Sequence, residues 1–231
     1  MGSLPGYARS LRAACTASPP PFGMGWYGDR FRALAIDPQW LAMSLIDNAA
    51  KEGVGSKKLW RLAGRTEDPE IAEQIRRHSV DESRHALVYI AMLQTAFPGA
   101  VSGAVGHALA DLSPRYRLRD RPRRRRAASR RRVLDELIQM NLGEIRTRIN
   151  QLLLAPMIAG FCPRSGKRRL RRMLGSLMDD ETRHIGYTAC LIERFIVEED
   201  ERFVHRMMAR RLAEFNRMTL DEVGGGAYAA T

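Results

Sequence analysis

The pentapeptide DESRH, at Asp81–His85, recurs almost unchanged as DETRH, at Asp180–His184. The copies differ only at Ser83 and Thr182, and each lies in a stretch with the apolar spacing of a helix. Each contains Glu-x-x-His, and positions i and i+3 of an α-helix lie about 60° apart on one face. A carboxylate among apolar side chains is costly unless a positive charge compensates it. The repeat therefore predicts two buried Glu-His pairs that bind metal, rather than two buried salt bridges.

Helix signals dominate the rest of the chain, whereas alternating strand patterns are almost absent. Two helices should begin at Asp-Pro pairs, since aspartate is a good N-cap and proline suits the first helical position. We expect five helices, over residues 37–63, 68–97, 130–154, 166–198 and 201–221. The long connection at 98–129 is typical of a ferritin-type bundle. The predicted fold is all-α: a ferritin-like antiparallel four-helix bundle with a long crossover between helices 2 and 3 and an extra C-terminal helix.

The expected helical domain covers residues 31–222 and includes the Arg-rich crossover at 98–129. A flexible arm is expected at 1–30, because this stretch contains the break SPPP at Ser18–Pro21 and no apolar run of secretory length. A flexible tail is expected at 223–231. The sequence contains no run of about 18 apolar residues, so no membrane span is expected. Three cysteines without CxxC spacing are typical of a reducing compartment, so a cytoplasmic location is expected.

The chain carries a net charge of +12, and much of the excess lies in RDRPRRRRAASRRR at Arg119–Arg132. Such a run suits an acidic partner, either a nucleic acid or an acidic carrier protein. A solvated loop is the usual interpretation of such a run. The run itself has no interleaved aromatic residues on which bases could stack.

A dinuclear site in a four-helix bundle needs one further carboxylate from each of the other two helices. Glu52 is the only glutamate of the first helix, and Glu144 shares the apolar face of the third, whereas Glu136 does not. The predicted ligands are Glu52, Glu82, His85, Glu144, Glu181 and His184. Four carboxylates balance two divalent ions, and these donors suit iron or manganese.

The other charged residues of the two pentapeptides can support the ligands. A ligating imidazole usually donates its second N–H to a carboxylate, so Asp180 is expected to hold His85 and Asp81 to hold His184. Arg84 and Arg183 are expected to pair with these aspartates, or to lie at the surface.

These residues resemble the ferritin-like diiron-carboxylate superfamily over about 37–198, in the order Glu, Glu-x-x-His, Glu, Glu-x-x-His. The Asp-Glu-x-Arg-His form resembles its O2-activating branch, which includes diiron monooxygenases and N-oxygenases. The N-oxygenases carry a further metal histidine where this chain has Leu177. His78 lies in the corresponding place before the first motif, as a seventh ligand or a supporting histidine. Gly53 and Gly55 weaken the first helix beside Glu52.

The resemblance implies a non-haem diiron oxygenase, with two Fe ions or a Mn/Fe pair and O2 as co-substrate. It would hydroxylate, N-oxygenate or desaturate a small organic substrate of specialised metabolism, using an external electron donor, as a monomer or homodimer. Candidates for the substrate pocket are Asn141 and Arg148, together with Tyr89 and Tyr187, for which core packing is the more usual role. The alternatives are a tRNA-modifying diiron hydroxylase and a ferritin-like protein for iron handling or peroxide scavenging.

Overall fold

The computed structural model describes residues 3–100, 103–198 and 201–222, and within them the predicted all-α class is confirmed. The described residues form eight α-helices and one 3-10 turn, Pro21–Gly23. The helices are α1 (Pro5–Ala17), α2 (Gly25–Ala35), α3 (Pro38–Ala63), α4 (Pro69–Ala96), α5 (Gly103–Ala110), α6 (Arg130–Phe161), α7 (Lys167–Glu198) and α8 (Glu201–Glu222). None of these helices is both long and apolar enough to cross a membrane.

The chain forms two compact units. The first unit comprises Met1–Ala33, Arg130–Leu153 and Glu181–Thr231, and the second comprises Leu34–Ser129 and Leu154–Asp180. Helices α2, α6 and α7 contribute residues to both units. The sequence had suggested a single domain over 31–222.

Helices α3 and α4 form the main packing pair of the second unit. Both start where the Asp-Pro pairs predicted: Asp37 accepts a hydrogen bond from Gln39 N at 2.8 Å, and Asp68 accepts one from Glu70 N at 2.9 Å. Caps of this kind satisfy backbone N–H groups that have no partner inside the helix. The pair is further joined by Ser56 and Ser79, each of which donates its hydroxyl to the other's carbonyl at 2.7 and 2.8 Å.

Gly53 does not interrupt α3, although the sequence marked it as a weak point. A Cβ atom at this position would lie 2.1 Å from the carbonyl oxygen of Leu112. The connection after α5 therefore passes directly over the helix at this point. Only glycine leaves room for such an approach.

Helix α6 extends to Phe161, whereas the sequence predicted an end near Pro156. Proline inside a helix removes one backbone hydrogen bond and costs about 3 kcal/mol. Leu154 and Ile158, which flank the proline, are buried in the second unit. Burying each such side chain contributes about 1.5–3 kcal/mol, which is enough to carry the helix past the proline.

Helices α1 and α2 occupy most of the region that was expected to be a flexible arm. The backbone N–H groups of Gly6 and Tyr7, at the start of α1, donate to the carboxylate of Glu193 at 3.1 and 2.5 Å. After α1, the backbone oxygen of Ser18 accepts a hydrogen bond from Asn216 at 2.9 Å. These contacts, together with packing of α1 on α8, hold the segment in the first unit. The tail predicted at 223–231 lies outside the described residues.

An ion pair between buried Asp135 and half-buried Arg211 supports the packing of α8 in the first unit. Arg211 donates to Asp135 through Nε at 2.8 Å and Nη2 at 2.5 Å, and Arg210 approaches Asp135 at 3.3 Å. The hydrogen bonds from Arg211 outweigh the effect of burial, so the pKa of Asp135 lies below its usual value.

We expect Asp135→Asn to lower the free energy of unfolding at pH 7 by about 1.5–3 kcal/mol, the usual value of a hydrogen bond to a charged group. The folded-state pKa is depressed, so this stabilisation is present above the unfolded value of about 3.9 and is lost as the pH falls below it. Urea denaturation at pH 7 and pH 3 should therefore show a smaller difference between variant and wild type at pH 3. An equal difference at both pH values would contradict the assignment.

Candidate metal centre

Three buried residues that could bind a metal ion lie together in the second unit. Glu52 comes from α3, while Glu82 and His85 come from α4, and their ligand atoms all lie within 4.8 Å of one another. His85 Nδ1 is 3.4 Å from Glu82 Oε1 and 4.0 Å from Glu52 Oε2. The structure thus brings together three of the six residues predicted as ligands. We call this set the Glu52 group.

Gly55 of α3 lies beside the carboxylate of Glu82. A Cβ atom added to Gly55 would lie 3.5 Å from Glu82 Oε2. One residue later, Ser56 bonds to the backbone of Ser79 on α4 and keeps the two helices close. The glycine that seemed to weaken α3 therefore lies against a ligand.

The electrostatics of the Glu52 group favour an anionic carboxylate. Burial alone would raise the pKa of Glu82, but hydrogen bonds with Glu52, His78 and His85 outweigh burial and hold the pKa well below its usual range. Two buried carboxylates in contact need a shared proton or a cation between them. Metal ligands must be deprotonated to bind, so this environment suits a divalent ion.

His78 lies one helical turn before Glu82 and is also buried. Its Nε2 atom is 3.3 Å from Glu82 Oε1. The structure therefore places the histidine against a ligand carboxylate, where it can act as a further ligand or as a support for Glu82.

Asp180 and Arg84 support His85 from its other side. Asp180 Oδ2 lies 3.2 Å from His85 Nε2 and also accepts a hydrogen bond from Arg84. Burial opposes ionisation of Asp180, but hydrogen bonding to His85 and the charge of Arg84 lower its pKa to about 2. Nε2 of His85 faces Asp180, while Nδ1 faces Glu82 and Glu52.

The first unit contains a second group with the same composition. Glu181 and His184 of α7 are buried, with His184 Nδ1 3.5 Å from Glu181 Oε2. A carboxylate oxygen of Glu144 on α6 lies within 4.8 Å of a ring nitrogen of His184. Gln151 donates from Nε2 to Glu181 Oε1 at 2.9 Å. We call Glu144, Glu181 and His184 the Glu144 group.

Gln151 was not predicted from the sequence. It follows Glu144 by two helical turns on α6, so the two share a face, and this spacing was the available signal. A glutamine that fixes one carboxylate oxygen orients that carboxylate, as supporting residues around metal ligands commonly do.

Asn141, which was expected to line a substrate pocket, has protein partners on three sides. Its Oδ1 accepts from the Tyr7 hydroxyl at 2.7 Å, and its Nδ2 donates to Thr188 Oγ1 at 2.9 Å and to Ile185 O at 3.1 Å. These bonds account for a fully buried amide without a substrate. Burial raises the pKa of Tyr7 to about 12, because its effect exceeds the opposing effect of the hydrogen bond with Asn141. Tyr7 itself lies in the region expected to be an arm, so the sequence gave no reason to select it.

The other residues expected in a pocket have ordinary surroundings. Tyr89 is buried in α4. Tyr187 lies edge-on to His184, with ring centroids 6.4 Å apart. Arg148 donates from Nε to Thr182 Oγ1 at 3.3 Å. The structure therefore does not assign any of them to a substrate.

Asp81 and Arg183, two charged residues that were expected to support the ligands, differ in burial. Asp81 is half-buried on α4, whereas Arg183 is exposed on α7. The rejected candidate Glu136 is also buried, but it pairs with Arg132 at 2.5 Å. Burial alone therefore does not identify a ligand.

Comparisons with protein families, with characterised proteins and with solved structures found no match for this chain. The metal centre is therefore inferred from the site's own residues. Each group combines two carboxylates with one imidazole, and such hard oxygen and nitrogen donors suit iron or manganese. The buried Glu52 group can hold a metal ion.

Proposed function

We propose that the protein is a ferritin-like, non-haem diiron oxygenase that oxidises a small organic substrate. The observation that carries the proposal is the repeated composition of the Glu52 and Glu144 groups. Each contains a buried Glu-x-x-His pair, and each adds a glutamate from a different helix. The dinuclear part of the proposal comes from the order of these residues along the chain.

The charges of the proposed ligands match two divalent ions. Glu52, Glu82 and His85 would hold one ion, and Glu144, Glu181 and His184 would hold the other. Four carboxylates then balance four positive charges, which offsets the cost of burying them. When bound, a reduced diiron centre supplies the activation of O2.

The protein's own part is to orient the ligands and to keep water away from them. Asp180 holds Nε2 of His85, and Gln151 holds one oxygen of Glu181. Apolar side chains such as Ile75 and Met92 are completely buried on α4, the helix that carries Glu82 and His85. A dry, fixed ligand set strengthens electrostatic interactions and limits side reactions. Electrons would come from an external donor.

Anaerobic titration with Fe(II), followed by metal counting, tests the proposal. We expect about two iron ions per chain, with oxidation of the bound iron on exposure to O2. Iron loading far above two per chain would favour storage instead. Absence of iron binding, or preference for a single redox-inactive zinc ion, would contradict the proposal.

We expect Asp180→Asn to weaken metal binding by about 10–100-fold, which is typical when the partner of a ligating histidine is changed. An asparagine can present its NH2 to His85 and loses the charge that pairs with Arg84. The adjacent Asp179 is exposed, so Asp179→Asn is the matched control. Competition with a chelator of known affinity measures the change, and equal affinities for both variants would remove Asp180 from the site.

A further inference from the structure

The connection between α5 and α6 carries a strongly basic surface. Every arginine from Arg115 to Arg126 is exposed, as are Arg61 and Arg65 near the end of α3. The same stretch from 111 to 129 contains only two acidic residues, Asp111 and Asp120. We call the exposed arginines the arginine surface; it comprises Arg61, Arg65, Arg115, Arg117, Arg119, Arg121, Arg123, Arg124, Arg125 and Arg126.

The backbone that carries these arginines is fixed in the second unit. Buried Arg76 donates to the carbonyl oxygens of Leu118 at 2.9 Å and Asp120 at 3.3 Å. Further along, Arg125 N donates to Gly64 O at 3.0 Å and Ala128 N donates to Arg65 O at 2.8 Å. The sequence had allowed a solvated loop, and such a loop would not need these bonds. Because the fold already orders the backbone, a partner need not meet that entropic cost on binding.

Gly64 shows how closely the connection follows α3. A Cβ atom at Gly64 would lie 2.5 Å from the carbonyl oxygen of Arg123. In addition, Arg65 Nε donates to Arg126 O at 3.3 Å. These contacts join the basic end of α3 to the basic connection, so their charges act on one partner.

An aromatic pair adjoins the arginine surface. Trp60 of α3 and Tyr116 of the connection stack with ring centroids 4.1 Å apart and planes inclined by 12°, and both residues are partly exposed. The basic run at 119–132 has no interleaved aromatic residue, but folding places Trp60 of α3 against Tyr116, just before the run. Bases stack on aromatic faces, and each ring of this pair keeps one face that the other ring does not cover.

We propose that the arginine surface binds the phosphate backbone of a nucleic acid. Guanidinium groups bond phosphate oxygens in pairs, and the basic residues between Arg115 and Arg132 are all arginine. An acidic protein would also be attracted by the arginines, but it has no bases that could stack on the aromatic pair. This binding does not depend on the metal, so it can be tested in the metal-free protein.

The test measures binding of a labelled single-stranded RNA of about 20 nucleotides, and of a DNA duplex of similar length, by fluorescence anisotropy across a salt series. The variant R119Q/R123Q/R124Q removes three charges whose side chains carry none of the backbone bonds described above. The control, R168Q/R171Q/R172Q, removes three exposed arginines from α7 in the same unit. Both variants therefore change the net charge equally.

The wild-type protein should bind the RNA or the duplex, with affinity that falls steeply as salt rises. Each lost contact to single-stranded RNA lowers the salt slope by about 0.7, so the first variant should lose about 2 from the slope and bind about 100-fold more weakly near 0.1 M salt. The control should keep the wild-type affinity. Circular dichroism checks that both variants remain helical.

Three results would overturn the proposal. The first is failure of the wild-type protein to bind either probe at low salt. The second is an equal loss in both variants, which would show that net charge alone drives binding. The third is displacement of the RNA by poly-glutamate as readily as by unlabelled RNA, which would identify the surface as a site for acidic polypeptides.

Discussion

Replacing Glu82 by glutamine is expected to abolish tight binding of a divalent ion at the Glu52 group. Glu82 is the central residue of this group, because His78 and His85 lie 3.3 and 3.4 Å from the same carboxylate oxygen. Glutamine keeps the size but removes the negative charge that a divalent ion needs. Since loss of a supporting residue alone costs about 10–100-fold in affinity, loss of a ligand should cost more than about 100-fold. Anaerobic calorimetric titration with Fe(II) measures the change.

Glu136→Gln is the matched control for this prediction. Glu136 is also buried, but its partner is Arg132 rather than a histidine group. The Glu136→Gln variant should bind iron with the wild-type affinity. If the two variants bind iron equally well, the Glu52 group is not a metal site.

Thermal unfolding separates loss of metal from loss of fold. Without metal, the hydrogen bonds that lower the pKa of Glu82 favour its ionised form in the folded state, so Glu82→Gln should melt below the wild type. Iron at 100 times its dissociation constant should stabilise the wild type by about 2.7 kcal/mol and leave the variant unchanged. If iron raises the melting temperature of the variant as much as that of the wild type, Glu82 is not a ligand.

The parts of the fold that the sequence predicted are those with local causes. The starts of α3 and α4 depend on Asp37-Pro38 and Asp68-Pro69, where the cap and the first backbone donors are neighbours in the chain. The Glu-x-x-His spacing is local in the same sense, because one helical turn brings both side chains to one face. Signals of this kind can be recognised without knowing which helices meet.

The parts that were missed depend on partners distant in sequence. In the first turn of α1, the N–H groups of Gly6 and Tyr7 donate to the carboxylate of Glu193. No sequence pattern near Gly6 shows that this distant carboxylate is available. Helix α6 passes Pro156 because burial of its flanking residues outweighs the local penalty of proline. In both cases packing overrides local propensity.

The candidate site divides in the same way. Glu52 could be selected because α3 offers only one glutamate, and Glu144 because its face is apolar. The support from Gln151 and the bond between Asn141 and Tyr7 required knowledge of which helices meet. The repeated pentapeptide also pointed to Asp180 beside His85, but the contacts of residues outside the repeat could not be recognised from sequence.

Gly53→Ala is expected to destabilise the protein, although alanine is the better helix former. The added methyl group would lie 2.1 Å from the carbonyl oxygen of Leu112, and a backbone atom cannot move aside as a flexible side chain can. Overpacking of this kind typically costs 1–3 kcal/mol, and contact with backbone places this site near about 3 kcal/mol. Because Gly53 follows Glu52, a shift of α3 at this point should also weaken iron binding.

Gly175→Ala provides the matched control, with an effect of opposite sign. Gly175 lies inside α7 in the same unit, and a Cβ atom there meets nothing within 4 Å. The usual difference in helix propensity should then raise the free energy of unfolding by about 1 kcal/mol. Urea denaturation followed by circular dichroism measures both variants. If Gly53→Ala stabilises the protein as Gly175→Ala does, the connection does not pass over α3 at Leu112.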